Sequence, residues 1–306
     1  MSTENKSLEL NKLLAGAQLP ALPQSAIVLL QLSQDLTNGP AEYAVPIESD
    51  PGLAGQVLRF VNSSYFGFSR EISSVKLAIT LVGVRTIKNF ALWSAVFSLM
   101  PNPKCGPFDV KSLWRDSLRR GLFARTIGKL MKQDDAEDWF AAALLQDMAI
   151  PILAKELPDI YHKMFEVRQE SGLPLSHQEK ERFGWTHAEA AAELARIWKL
   201  PSRFNDMILM HSRLNDLLES PEATKGQLAV ALASLLPTDC DDNWSDREAF
   251  ITAYHRICGK DAIDLTELFS EVDKYFAEFA PLLNLTAATT PLVDCLTPGS
   301  GAILSE

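Results

Sequence analysis

Apolar residues along this chain recur three and four positions apart and rarely alternate, so the pattern predicts helices and scarcely any strand. Pro23 stands where a first-turn proline starts a helix. Residues 23–36 then carry Ile27 and Leu30 on one face before Asn38-Gly39-Pro40 stops the run. Asp50-Pro51 is a second start signal, a capping carboxylate followed by a proline whose missing N–H costs nothing at that position. Leu53, Val57, Leu58 and Val61 form the apolar stripe of the helix that follows, and Leu53, Leu58 and Leu81 are expected to be buried. Pro46, just upstream, is expected to kink or split the helix leading to Asp50. Residues 74–81 read as a short helix, and Gly83 introduces a long one reaching 100.

Pro101-Asn102-Pro103 and Cys105-Gly106-Pro107 form the clearest linker. Helical patterns resume at 109–131, followed by an Ala-rich helix over 139–149 with Pro151 near its end. Further helices are predicted over 157–170, 187–198, 202–211, 222–236, 246–258 and 265–279. Residues 284–306, rich in Thr, Ala, Pro and Gly, read as a loosely structured tail. The fold class is therefore all-α, with one helical subdomain over 1–102, a second over 107–283, and the tail.

With 47% of its 306 residues hydrophobic and 22% charged, the chain can bury a large core and is not a disordered one. Its net charge of -10 is uneven: residues 235–306 hold 4 Lys/Arg against 13 Asp/Glu, while residues 1–234 hold 25 against 26. A nucleic-acid backbone needs a basic face, so direct nucleic-acid binding is not expected. The longest strongly apolar stretch, residues 90–100, is half a bilayer span, and the N-terminus lacks a secretory pattern; no membrane span is expected. Cys105, Cys240, Cys258 and Cys295 show no paired spacing and read as reduced thiols of a cytoplasmic protein.

Several segments, taken in order, carry a resemblance. They are LPALPQSAIVLL at 19–30, SDPGLAGQVLRFVNSSYFGF at 49–68, ISSVKLAITLVGVRTIKNFAL at 72–92, residues 114–127, ALLQD at 143–147, WTHAEAAAELARIWKLP at 185–201, and His211. Together they resemble the HDOD family, the HD-related output domain of bacterial signalling proteins. The resemblance covers roughly residues 18–215. It implies an all-helical fold related to HD phosphohydrolases, with an N-terminal helical subdomain packed on a degenerate HD-like one, and a regulatory role.

A hydrolytic HD site needs imidazoles and carboxylates converging on divalent ions that polarise phosphate and activate water. The resemblance implies a first His, an adjacent His-Asp pair and a later Asp. Here the first position falls at Asp116, the pair at Gln146-Asp147, and the later Asp near Ala233-Ser234. Only Asp147 keeps its ligand type, and a neutral amide is a poor substitute for imidazole. No catalytic residue, metal or cofactor is therefore expected; Asp116 and Asp147 read as capping or hydrogen-bonding groups, the alternative being a Mg²⁺ site on the two carboxylates.

His187 and His211 fall where the family commonly has His; they read either as a relic pair or as helix-packing and helix-end residues. Arg115 and Arg119, one turn apart in a basic helix also bearing Arg120, Arg125 and Lys129, read as a solvated face or as a grip on an anion. Asn62-Ser63 is expected to close its helix locally. Trp93, Trp114, Trp139, Trp185 and Trp198 are expected in the core.

The function expected from these readings is a non-enzymatic signalling module that binds a protein partner. Two alternatives are a phosphohydrolase acting on a nucleotide or cyclic dinucleotide through an altered metal site, and a nucleotide-binding sensor.

Overall fold

A computed structural model describes residues 3–17, 19–33, 35, 37–238, 244–286 and 290–296, with side chains from residue 9 onward. Among them the chain forms helices and short 3-10 turns, with no strand. The first six helices are α1 (Thr3–Gly16), α2 (Gln24–Leu32), α3 (Pro40–Glu48), α4 (Pro51–Val61), α5 (Val75–Val82) and α6 (Val84–Leu99). After the proline-rich connection come α7 (Val110–Leu130), α8 (Ala136–Leu145), α9 (Ile150–Glu156), α10 (Pro158–Ser171), α11 (Leu175–Phe183) and α12 (His187–Ile197). The chain continues through α13 (Ser202–Met210), α14 (Leu214–Glu219), α15 (Lys225–Ala233), α16 (Arg247–Cys258) and α17 (Leu265–Phe279).

The start signals work as their chemistry requires. Asp50 accepts from the Leu53 backbone N–H at 3.0 Å, and Asp109 opens α7 by accepting from Ser112 N–H at 2.9 Å. Asn62 closes α4 by donating to Leu58 O at 2.9 Å, and its amide also pairs with both backbone groups of Ile72, at 2.7 and 2.8 Å. All five named tryptophans are buried.

Four expectations change. Leu53 is buried, but Leu58 is half-buried and Leu81 is 48% exposed, because α4 turns Val57, Phe60 and Val61 inward and α5 buries Val75, Ala78 and Ile79 instead. Pro46 lies inside α3 without splitting it. The helix has only nine residues, and Ser49 N–H still bonds Val45 O at 3.0 Å. Pro151 does not end the Ala-rich helix; α8 stops at Leu145, and Pro151 sits in the first turn of α9, where its missing N–H is tolerated. The tail is partly built in. Leu285 and Leu292 are buried, and Asp273 of α17 accepts from the backbone N–H groups of Leu292 and Val293 at 2.9 and 3.0 Å. The rest of that segment lies outside the described residues.

The buried apolar side chains form one continuous cluster from Leu10 to Leu292. Helix α7 runs through it against α8, α15 and α17. Gly128 makes the α7–α8 approach possible: a Cβ there would lie 2.7 Å from the Cβ of Ala136 and 2.9 Å from the Trp139 ring. The early helices join this body through Asp138 of α8, a fully buried carboxylate. It accepts from Asn89 Nδ2 of α6 at 2.9 Å and pairs with Arg203 of α13 at 3.1 Å.

Candidate functional site

Beside α7, a cleft of about 440 Å³ holds Asp116, Arg120, Gln146, Asp147, His187 and His211 along one wall. Each comes from a helix or its end. Asp116 and Arg120 are one turn apart on α7, Gln146 and Asp147 follow α8, His187 opens α12, and His211 caps α13. All six side chains are buried.

Asp147 organises the centre through two differently engaged oxygens. Its Oδ2 accepts from the guanidinium of Arg120, and its Oδ1 lies 3.4 Å from His187 Nε2 and 3.5 Å from His211 Nε2. The two Nε2 atoms are 3.2 Å apart. The outer ring nitrogens fix both ring orientations. His187 Nδ1 donates to Glu179 Oε2 at 2.7 Å, and His211 Nδ1 donates to the Ile208 carbonyl at 2.6 Å. Glu179 is itself held, accepting from the His187 backbone N–H and from the Tyr161 hydroxyl, both at 2.7 Å.

The electrostatics follow from this packing. Burial opposes ionisation of Asp147, but the Arg120 guanidinium, aided by the nearby His187 and His211 rings, holds its carboxyl well below the usual range. Burial also opposes a charged His187, yet the Glu179 carboxylate and then Asp147 outweigh it and push the ring up to about 10. Burial and the same Glu179 charge push the Tyr161 hydroxyl well above its ordinary value.

Of the two readings of Arg115 and Arg119, the solvated face fails at Arg119, which is buried, and neither residue lines the cleft. Both point at the C-terminal segment: Arg115 donates to Thr286 Oγ1 at 3.3 Å, while Arg119 donates to the Thr290 carbonyl and lies 5.4 Å from the Phe276 ring. Helical periodicity explains the swap: around α7, Arg120 lies about 40° to one side of Asp116, and Arg119 and Arg115 lie about 60° and 100° to the other. Asp116 lines the cleft but stands outside the Asp147–His187–His211 group. Ser234, where a later Asp is expected by resemblance, also lines the cleft and donates to the His211 carbonyl at 3.0 Å. His187 and His211 do occupy a helix start and a helix end, and they converge as well. Glu179 and Tyr161 escape sequence reading because Glu179 lies in a run of charged residues, HQEKERF, and Tyr161 in an ordinary amphipathic helix.

A two-metal hydrolytic centre does not fit these residues. The second oxygen of Asp147 is taken by a fixed cation, and the adjacent position is the Gln146 carboxamide in place of an imidazole.

Fold and site together define an all-helical protein of HD-like architecture with an altered centre. The chain matches the HDOD domain over residues 19–214 and belongs to that family. A relative in Treponema pallidum (strain Nichols), described only as an uncharacterized protein, is 25% identical over 219 residues, 70% of this chain. The chain spans 42% of the length of that relative. Among solved structures, an HDOD domain protein with unknown function from Geobacter sulfurreducens is 21% identical with a TM-score of 0.70, covering 93% of this chain and 99% of that one. A protein of Marinobacter aquaeolei VT8 described as a "Putative signal transduction protein" is 17% identical with a TM-score of 0.69, covering 95% of this chain and 66% of that one. At these identities the structures establish the shared fold. No helix among the described residues is long and apolar enough to cross a membrane.

Proposed function

We propose that this chain is a non-hydrolytic regulatory module of bacterial signal transduction that acts in the cytoplasm by binding a protein partner. The observation that carries this reading is the engagement of Asp147 Oδ2 by Arg120 beside Gln146. A carboxylate meant to bridge two ions and activate water needs both oxygens free for metal, and here a guanidinium covalently tethered to α7 holds one of them. Family membership supports a regulatory role, and the Marinobacter relative's description points the same way.

The alternative of a nucleotide-binding sensor draws less support from the cleft. Asp109, Asp116, Asp147 and Asp246 line it against Arg120, Arg168 and His187, so the cleft offers no excess of positive charge for a phosphate-rich ligand. The altered-site phosphohydrolase remains a second reading because Asp147, His187 and His211 do converge.

Partner capture separates the first reading from the second. The full chain and the Asp116→Ala and Asp147→Ala variants, matched for stability, are used as bait against signalling proteins of the source cell. Equal capture of the same protein by all three supports the module. Capture that disappears in both variants together with loss of a phosphatase activity supports the enzyme.

A further inference from the structure

The spacing inside the cluster is informative because it is too long for one kind of bonding and right for another. A charge-assisted N–H···O bond between imidazolium and carboxylate closes to about 2.7–2.9 Å. His187 Nε2 and His211 Nε2 stand instead 3.4 and 3.5 Å from Asp147 Oδ1, and 3.2 Å from each other. Ligands about 2.0–2.1 Å from a tetrahedral ion are separated by an edge of about 3.3 Å, and all three distances lie close to it. The inner ring nitrogens also converge. Each outer Nδ1 donates, to Glu179 and to Ile208 O, so Nε2 is the nitrogen each ring turns toward the carboxylate oxygen, and an ion bound there displaces the Nε2 proton that His187 shares with His211. An outer carboxylate on one ligating imidazole and a backbone carbonyl on the other are the supports that metal-bound histidines use.

A second, independent observation comes from Gln146. Its side chain is fully buried at the cleft wall next to Asp147, and neither amide atom has a hydrogen-bond partner among the described residues. A buried amide pair left unsatisfied is costly, and a water in an ion's coordination shell is a strong donor for its Oε1.

We propose that Asp147, His187 and His211 hold one divalent transition-metal ion, with Arg120 standing on the face of Asp147 from which a second ion would bind. Two imidazoles and one carboxylate suit Zn²⁺ or Co²⁺ and disfavour Mg²⁺ and Ca²⁺, which demand oxygen. The ion ties together the segment after α8, the start of α12 and the end of α13, all three ligands lining the cleft. The expectation of no metal from the sequence rested on Gln146 and Ser234. Neither belongs to this three-donor group, which draws instead on the histidine pair. The inference is independent of how the module signals, since a structural ion is compatible with partner binding.

The test is metal analysis of the full chain after chelator treatment and titration with Zn²⁺, followed by the visible spectrum of the Co²⁺-loaded protein. One ion per chain is expected, with an intense tetrahedral Co²⁺ band that Zn²⁺ abolishes. Asp147→Asn and His211→Gln should remove the band, and Glu179→Gln should weaken Zn²⁺ binding by about 10–100-fold, as loss of an outer partner does. Arg120→Met should tighten binding by removing a like charge. Far-UV circular dichroism checks each variant's fold. If a ligand variant fails to fold, Arg120→Met and Glu179→Gln, moving affinity in opposite directions, carry the test. Failure of the parent to bind one ion, a six-coordinate Co²⁺ spectrum, or binding unchanged in the folded variants would overturn the proposal.

Discussion

Arg120 and Asp147 form a buried ion pair in which the guanidinium takes one carboxylate oxygen and leaves the other facing two imidazoles. The pair decides how much of an HD-type centre this chain retains. Its energetics are testable. Arg120→Met strands Asp147 in a buried position, and breaking such a pair commonly costs about 3–5 kcal/mol. Urea unfolding in the presence of chelator should show a loss of that order for Arg120→Met, with part of it recovered in the double variant Arg120→Met/Asp147→Asn. Additive losses would mean that the two side chains do not depend on each other.

Helices α7 and α8 pack closely because Gly128 has no side chain. A Cβ at Gly128 meets Ala136 and Trp139 at under 3.0 Å, so α7 and α8 must separate to admit it. Gly128→Ala should destabilise by about 1–3 kcal/mol despite alanine's better helix propensity. A stabilised variant in the same unfolding experiment would show that the contact gives way freely.

Asp138 joins α6, α8 and α13, with Lys88 buried nearby. Asp138→Ala removes the acceptor of Asn89 and the partner of Arg203, and a cost of about 2 kcal/mol or more is expected from stranding buried polar groups. Proteolysis in the 101–107 connection should accelerate at the same time. A variant unfolding at the parent's urea midpoint would remove Asp138 from the account.

Cysteine reactivity provides a check on burial and acidity together. Burial pushes the Cys258 thiol up to about 11 and also raises that of Cys105, while Cys295 is only partly buried. Only a small thiolate fraction of Cys258 exists near pH 8, and thiolate is the reactive form. Iodoacetamide at pH 8 should label Cys295 in the folded protein well before Cys105 or Cys258, with mass spectrometry identifying the sites. Equal rates would contradict the packing of α16.

Much of this was legible from residue order. The caps at Asp50 and Asp109, the all-helical class and the cleft positions of Asp116, Gln146, Asp147 and Ser234 follow from local chemistry and from the family pattern. Three-dimensional facts were not. Arg115, Arg119 and Arg120 look alike in sequence, and only the rotation of α7 sends the first two to the C-terminal segment and the third into the cleft. Glu179 carries no signal because its role depends on α11 folding back against α12. Leu292 reads as part of a loosely structured tail because its burial requires Asp273, 19 residues upstream, to hold the backbone.

The central claim, that this HDOD chain regulates without hydrolysing, is tested most directly by a multiple-turnover assay. The parent is incubated with nucleotides and cyclic dinucleotides in the presence of Mn²⁺, Co²⁺, Zn²⁺ or Mg²⁺, and phosphate or linear-product release is measured. The account predicts no release above the protein-free rate with any substrate or ion, since Arg120 and Gln146 stand where a hydrolytic centre needs metal and imidazole. Turnover by the parent that falls by orders of magnitude in both Asp147→Asn and His211→Gln, each folded as the parent is, would contradict it.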